Sequence, residues 1–265
     1  MDKIQKLIIK MLIKSSLKLL KMQDKKGVYK KSLRDLVTTA DFSSQKIIID
    51  YIQKNFPNHK IYSEEIIGKN EDDLKAGDCW IIDPLDGTNN YAYGLDLWGI
   101  SIAYSKNSVL EYGAISYPKL KTILFAKKGK GAWQYYFSKN KIKKIRKLKV
   151  SERELENSMI LACYAQGENL SNTFKKLEEL HKKVFHVRHL GAAVFEIGYV
   201  AQGYADAAVL FKIKPYDIAA GALLVQEAGG KISKIDGSSY TLDSNTFVAS
   251  NKKIHSHLIK ILNSK

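Results

Sequence analysis

From Met1 to Met22 apolar residues alternate with Lys3, Lys6, Lys10, Lys14, Lys18 and Lys21. Those lysines are spaced by threes and fours, so they line one face of an amphipathic helix. No apolar stretch there is long enough for a signal sequence or a membrane span, so a helix packed on the domain with a wet lysine face is preferred to a surface-bound or transit-peptide helix. A second helical pattern runs from Ser43 to Asn55, carrying Ile47, Ile48, Ile49, Tyr51 and Ile52, and Asp41-Phe42-Ser43-Ser44 supplies capping residues at its start. Ile61-Tyr62 precedes an acidic pair, Glu64-Glu65, and Cys79-Trp80-Ile81-Ile82 reads as a short buried strand ended by Pro84. Trp98–Ser105, Val109–Tyr117 and Thr122–Lys127 have strand composition, and Gly129-Lys130-Gly131 marks a hairpin. This half of the chain predicts a largely antiparallel sheet covered by two helices.

Beyond Ser151 the pattern changes. Short apolar runs (Met159–Cys163, Ala205–Leu210) alternate with helical stretches (Asn172–Lys183, Gly191–Ala201, Asp217–Ala228), which predicts an α/β arrangement. Gly229-Gly230 caps the last long helix, Phe247-Val248-Ala249 is a strand, and Asn251 caps a C-terminal helix reaching Leu262. The organisation expected is an N-terminal α+β lobe over residues 1–150 and a C-terminal α/β lobe over 151–265. No repeat, low-complexity tract or Pro/Gly/Ser linker separates them, so they form one tightly packed unit.

Composition narrows the picture. Lys and Arg outnumber Asp and Glu by 43 to 27, a formal charge of +16 over 265 residues. The excess is spread out, and its densest run, Lys139–Lys149, reads as a solvated edge strand; no nucleic-acid motif accompanies it. The positive field still favours anionic small molecules. Two cysteines, Cys79 and Cys163, are too few for a secreted disulfide framework and fit a reducing cytoplasm. His181, His186 and His189 match no standard zinc spacing and read as solvated or packed residues. Tyr91, Tyr93, Tyr112 and Tyr117 read as sheet and core residues.

The acidic positions carry the chemistry. Asp83-Pro84-Leu85-Asp86-Gly87-Thr88 follows shortly after Glu64-Glu65, and no Lys or Arg lies between Asp78 and Lys106. Carboxylates crowded in this way repel one another unless cations sit among them, which points to a hard, oxygen-loving ion such as Mg²⁺ and so to phosphate chemistry. The proline forbids a helix, so both aspartates and the Leu85 carbonyl can face one cavity, and the amides of Gly87 and Thr88 can cradle a phosphate. Asp217, in Pro215-Tyr216-Asp217-Ile218-Ala219-Ala220-Gly221, taken alone is a helix cap, and Asp35 and Asp41 could be turn and cap residues.

Taken together, Asp35-Leu36-Val37-Thr38-Thr39-Ala40-Asp41, Glu64-Glu65, Trp80 to Tyr91, and Tyr216 to Gly221 with Glu227-Ala228-Gly229-Gly230 resemble, in order, the inositol monophosphatase family of lithium-sensitive, metal-dependent phosphomonoesterases. The resemblance spans nearly the whole chain. It implies a layered α-β-α-β-α sandwich shared with fructose-1,6-bisphosphatases, commonly dimeric. It implies that Glu64, Asp83, the Leu85 carbonyl, Asp86 and Asp217 bind two to three Mg²⁺ ions, that Thr88 paired with Asp41 orients the attacking water, and that Gly87 and Thr88 hold the phosphate. Gly191, Ala192 and Ala193 match the segment that meets the alcohol portion of the substrate, and Lys30 a lysine close to the phosphate. Asn89-Asn90-Tyr91 resembles the inositol and fructose bisphosphate branches more than the phosphoadenosine phosphatases. Leu210 stands where inositol-specific members place an acid, which weakens strict inositol selectivity. The expected substrate is a small sugar or polyol phosphate, inositol 1-phosphate first, with fructose 1,6-bisphosphate as the rival and an RNA-associated scaffold as the non-enzymatic alternative. No membrane or specific nucleic-acid partner is expected.

Overall fold

The computed structural model describes residues 1–23, 28–32, 35–66, 70–75, 77–139, 141–164 and 170–264, with the backbone alone for 28–32 and 35–38. Helix α1 (Lys3–Met22) begins where the side chain of Asp2 accepts the Gln5 N–H at 2.9 Å. All six lysines of the predicted face are exposed, and Leu7, Ile8, Met11, Leu12 and Leu19 are buried. It packs with α2 (Thr39–Asn55) on one face of a seven-stranded sheet. A small antiparallel hairpin, β1 (Val28–Ser32) and β2 (Asp35–Thr38), lies between the two helices in the chain.

The large sheet runs in chain order through β3 (Lys60–Ser63), β4 (Asp78–Asp86), β5 (Gly99–Lys106), β6 (Val109–Tyr117), β7 (Thr122–Lys127), β8 (Ala132–Ser138) and β9 (Lys141–Lys147). It is antiparallel throughout except for the parallel β3–β4 pair. The lysine-rich run forms its edge, as expected, and its charges keep another strand from adding there. Alternation sends Trp80, Ile82, Ile100 and Ile102 toward α1 and α2, and Cys79, Ile81, Ala103 and Ile115 to the opposite face.

That opposite face is covered by α5 (Ala193–Ala201) and α6 (Pro215–Glu227), which lie between the large sheet and a second sheet ordered β11 (His186–Arg188), β10 (Met159–Tyr164), β12 (Ala207–Phe211), β14 (Thr246–Ser250), β13 (Lys231–Ser233). Leu161, Ala208 and Leu210 face α5 and α6; Ile160, Ala207, Val209 and Val248 face α4 (Leu170–His181) and α7 (His255–Leu262) on the outside. Five layers result, helix–sheet–helix–sheet–helix, the sandwich that the resemblance implies. Among the described residues no helix is long and apolar enough to cross a membrane.

Three local expectations need correction. Helix α2 starts at Thr39, so Asp41 is inside its first turn instead of capping it. Asn251 accepts the Ile254 N–H at 3.1 Å and closes the turn before α7, which begins only at His255. Tyr93 is 81% exposed in the loop after α3 (Thr88–Ala92), whereas Tyr91, Tyr112 and Tyr117 are buried as expected.

Candidate functional site

The site is assembled at one end of the large sheet. Because β3 and β4 are parallel, with Ser63 opposite Ile82, the next residue of each strand, Glu64 and Asp83, lies at the same level; the Glu64 N–H donates to Ile82 O at 3.1 Å. Pro84 does not end β4. The strand continues to Asp86 through a bulge, with Asp83 opposite Ser101 and Asp86 opposite Gly99, so one extra residue fits between them. Side chains satisfy the backbone that the bulge displaces. The Leu85 N–H donates to Asp83 Oδ1 at 3.0 Å, Ser44 Oγ donates to Pro84 O at 2.7 Å, and Thr88 Oγ1 lies 2.9 Å from Leu85 O.

Thr88 Oγ1 also lies 3.0 Å from Asp41 Oδ1, inside α2 and fully buried. A hydroxyl has one proton, so Thr88 donates either to Asp41 or to Leu85 O, and its oxygen keeps lone pairs able to accept from another group. Asp86 Oδ2 accepts the Val194 N–H at 2.5 Å, which ties the loop to the first turn of α5. Asp217, at the third position of α6, caps with one oxygen, Oδ2 accepting the Lys214 N–H at 2.7 Å. The helix-cap reading of Asp217 and a ligand role are therefore compatible, since a carboxylate has a second oxygen.

Electrostatics gather these groups. Asp83 is 1% exposed, and its carboxyl is held well above the ordinary carboxylate range by burial first, then by the charges of Glu64, Asp86 and Asp217. Asp86 is pushed up to about 8, chiefly by burial, with the Val194 amide pulling down and Glu196 and Glu64 pushing up. Burial and the charges of Asp217, Glu64 and Asp83 raise the Tyr216 phenol. Three separate segments thus send carboxylates into one region that disfavours their ionisation. All the donors there are oxygens, Leu85 O included, and the charge deficit is cationic; the donor set fits a hard divalent ion such as Mg²⁺.

Gly87 has φ of +84°, and a Cβ on it would meet Ala192 Cβ and Leu97 O, each at 2.9 Å. It is the point where the acidic loop touches the segment before α5, so a side chain would push the two apart. Gly87→Ala is expected to cost about 2 kcal/mol or more from left-handed backbone and clash, a drop in Tm of roughly 4–8 °C. Thermal unfolding checks it.

The other expected positions fall around this centre. Gly191, at φ +76°, lies against the Asn90 amide, whose nitrogen donates to Leu97 O at 2.7 Å and Leu190 O at 2.9 Å. Asn90 thereby joins α3 to the Gly191–Ala193 segment. Ala192 and Ala193 are buried at the start of α5. Leu210 is fully buried on β12 in the same apolar cluster as Ala192 and Tyr216, so it presents no accessible rim and can offer only apolar contact. The Lys30 side chain lies outside the described residues. Sequence reasoning missed Ser44, the Val194 amide and Glu196. Only Glu196 left a signal, as the lone charge in the apolar stretch Ala193–Ala201.

Comparison with known proteins gives the family and the fold. The family model described as inositol monophosphatase family matches residues 2–265. A Thermotoga maritima fructose-1,6-bisphosphatase/inositol-1-monophosphatase is 35% identical over 235 residues, covering 88% of this chain and 85% of the relative. The Nus factor SuhB of Pseudomonas aeruginosa is 34% identical over 241 residues, covering 88% and 84%. Among solved structures, the Thermotoga maritima IMPase superposes with a TM-score of 0.85 at 33% identity over 99% of this chain and 97% of that one. An IMPase/NADP phosphatase complexed with Mg²⁺ and phosphate does so with 0.85 at 27% identity over 99% and 96%. With its motifs, its layered fold and these likenesses in accord, the chain belongs to the inositol monophosphatase family.

Proposed function

We propose that the protein is a Mg²⁺-dependent phosphomonoesterase acting on small sugar or polyol phosphates, with inositol 1-phosphate as its preferred substrate. The observation that carries this reading is the cluster of Asp83, Asp86, Glu64 and Asp217, whose mutual repulsion and burial hold Asp83 well above the ordinary carboxylate range. Glu64, Asp83, Leu85 O, Asp86 and Asp217 would hold the cations. Bound Mg²⁺ supplies the positive charge that offsets the anionic shield of a phosphate ester. The chain's own groups do the rest. Asp41 accepts the Thr88 proton, which leaves the hydroxyl oxygen free to accept from a water molecule and aim it at phosphorus. Gly87 allows the backbone close to the phosphate, with the Gly87 and Thr88 amides at the start of α3 as donors. Ser44 and the Val194 amide fix the bulge so that Leu85 O and Asp86 stay in place.

Thr88→Val keeps the shape of the side chain and removes the proton relay to Asp41. Phosphate release is expected to fall about 10²- to 10³-fold with little change in KM. Steady-state kinetics would check this, and an unchanged kcat would exclude Thr88 from water orientation.

The substrate reading is tested by a phosphate-release panel of inositol 1-phosphate, fructose 1,6-bisphosphate, phosphoadenosine phosphate and histidinol phosphate, with Mg²⁺ and then with EDTA. Inositol 1-phosphate should be turned over best, and all release should stop in EDTA. Fructose 1,6-bisphosphate is the second reading, favoured by the name of the Thermotoga relative and by Lys212 and Lys214, which precede Asp217 in the chain and could meet a second anionic group. The relatives named Nus factors support the non-enzymatic alternative, an RNA-associated scaffold, which would appear as binding that survives loss of hydrolysis.

A further inference from the structure

A second group of ligand-type side chains lies beside the carboxylate pocket; Glu196 also acts on Asp86 through its charge, whereas Cys163 and His189 have no part in the phosphatase reading. Parallel pairing of β10 with β11 places Leu161 opposite Arg188, so Cys163 and His189 follow closely from neighbouring strands, and α5 brings Glu196 beneath them. The Cys163 sulfur, a ring nitrogen of His189 and a carboxylate oxygen of Glu196 all lie within 4.8 Å of one another.

Glu196 has no exposed surface. Its Oε1 accepts the Leu190 N–H at 3.0 Å and lies 3.4 Å from His189 Nδ1, while Oε2 has no hydrogen-bond partner. A buried carboxylate with an orphaned oxygen is costly, and a cation offsets that cost. His189 is held for the purpose: Tyr164 stacks on its ring at 4.8 Å and 21°, Phe174 meets Tyr164 edge-on, and Ala162 O lies 2.7 Å from Nδ1. Its side chain is 40% exposed, which opens the group to solvent.

We propose that Cys163, His189 and Glu196 form a second metal site, separate from the Mg²⁺ pocket and selective for a borderline-soft divalent ion of the zinc class. A thiolate, an imidazole and a carboxylate are the donors that Zn²⁺ and Co²⁺ take and that Mg²⁺ does not, and three protein ligands leave the fourth tetrahedral position to water. On entry the ion takes the place of the thiol proton of Cys163, which leaves to solvent, and of the proton on His189 Nδ1, which passes to Nε2 of the same ring, so that a neutral imidazole binds and its contact with Ala162 O is given up. Nothing in this assignment depends on which phosphate ester the protein cleaves.

The test is titration of the full-length protein with Co²⁺ in the presence of saturating Mg²⁺, which occupies the carboxylate pocket. A single equivalent should bind with a thiolate-to-cobalt charge-transfer band, and Zn²⁺ should displace it. Cys163→Ser should abolish the band, Cys79→Ser should leave it, and His189→Ala, whose side chain is 40% exposed, should weaken Co²⁺ binding about 10-fold or more with the far-UV circular dichroism of the wild type. Absence of the band in the wild type, its survival in Cys163→Ser, or unchanged affinity in His189→Ala would each overturn the site.

Discussion

Asp83→Asn is expected to lower kcat/KM for phosphate release by about 10³-fold or more, a loss of about 4 kcal/mol in transition-state stabilisation, while leaving the metal-free protein as stable as the wild type or more so. The two halves of this result have one cause. Asp83 is almost completely buried, and the neighbouring charges of Glu64, Asp86 and Asp217 oppose its ionisation. Without a cation its charge is a liability, so an amide of the same shape relieves repulsion. The replacement keeps Oδ1, which accepts the Leu85 N–H and so preserves the bulge. What it removes is the anionic donor that would draw Mg²⁺ into the middle of the pocket. Phosphate-release kinetics and thermal unfolding in EDTA check the pair together. Activity retained within about tenfold would detach the carboxylate cluster from the chemistry, and a large loss of stability in EDTA would make Asp83 a structural residue.

Much of the fold could be read from the chain because composition and spacing are locally clear. Strands β6 and β7 fall where Val109–Tyr117 and Thr122–Lys127 have strand composition, and α1 follows the lysine spacing. Local pattern failed where distant groups replace local partners. Pro84 signals the end of a strand, yet β4 runs through it because Ser44, forty positions upstream, donates to the Pro84 carbonyl, and Asp83 takes the Leu85 amide. Asp41 looks like a cap because Asp and Ser favour helix starts, but the helix starts at Thr39 and frees Asp41 for Thr88. The Val194 contribution is a backbone amide and has no side-chain signature at all. His189 matches no short zinc spacing in the sequence, since its companions Cys163 and Glu196 become neighbours only through the parallel β10–β11 pairing and the helix beneath.

Removing divalent ions should lower Tm, and the loss should be larger at pH 8 than at pH 6. Asp86 is pushed from an ordinary value of 3.8 up to about 8, first by burial and then by the charges of Glu196 and Glu64, against the pull of the Val194 and Gly87 amides. Between those two values the native state keeps a proton that the unfolded chain has released. The unfolded state therefore binds fewer protons, and the stability contributed by this group falls as pH rises from about 4 to about 8, then levels off. Asp83, raised in the same direction, extends the trend. Mg²⁺ competes with these protons for the same oxygens, so its apparent affinity grows across the window while the metal-free protein weakens. At 100-fold excess over Kd the ion should add about 2.7 kcal/mol, or roughly 5–10 °C in Tm. Melting curves in Mg²⁺ and in EDTA at the two pH values measure the difference directly. A Mg²⁺ shift that stays constant or shrinks as pH rises would mean that the cation does not bind at Asp83 and Asp86.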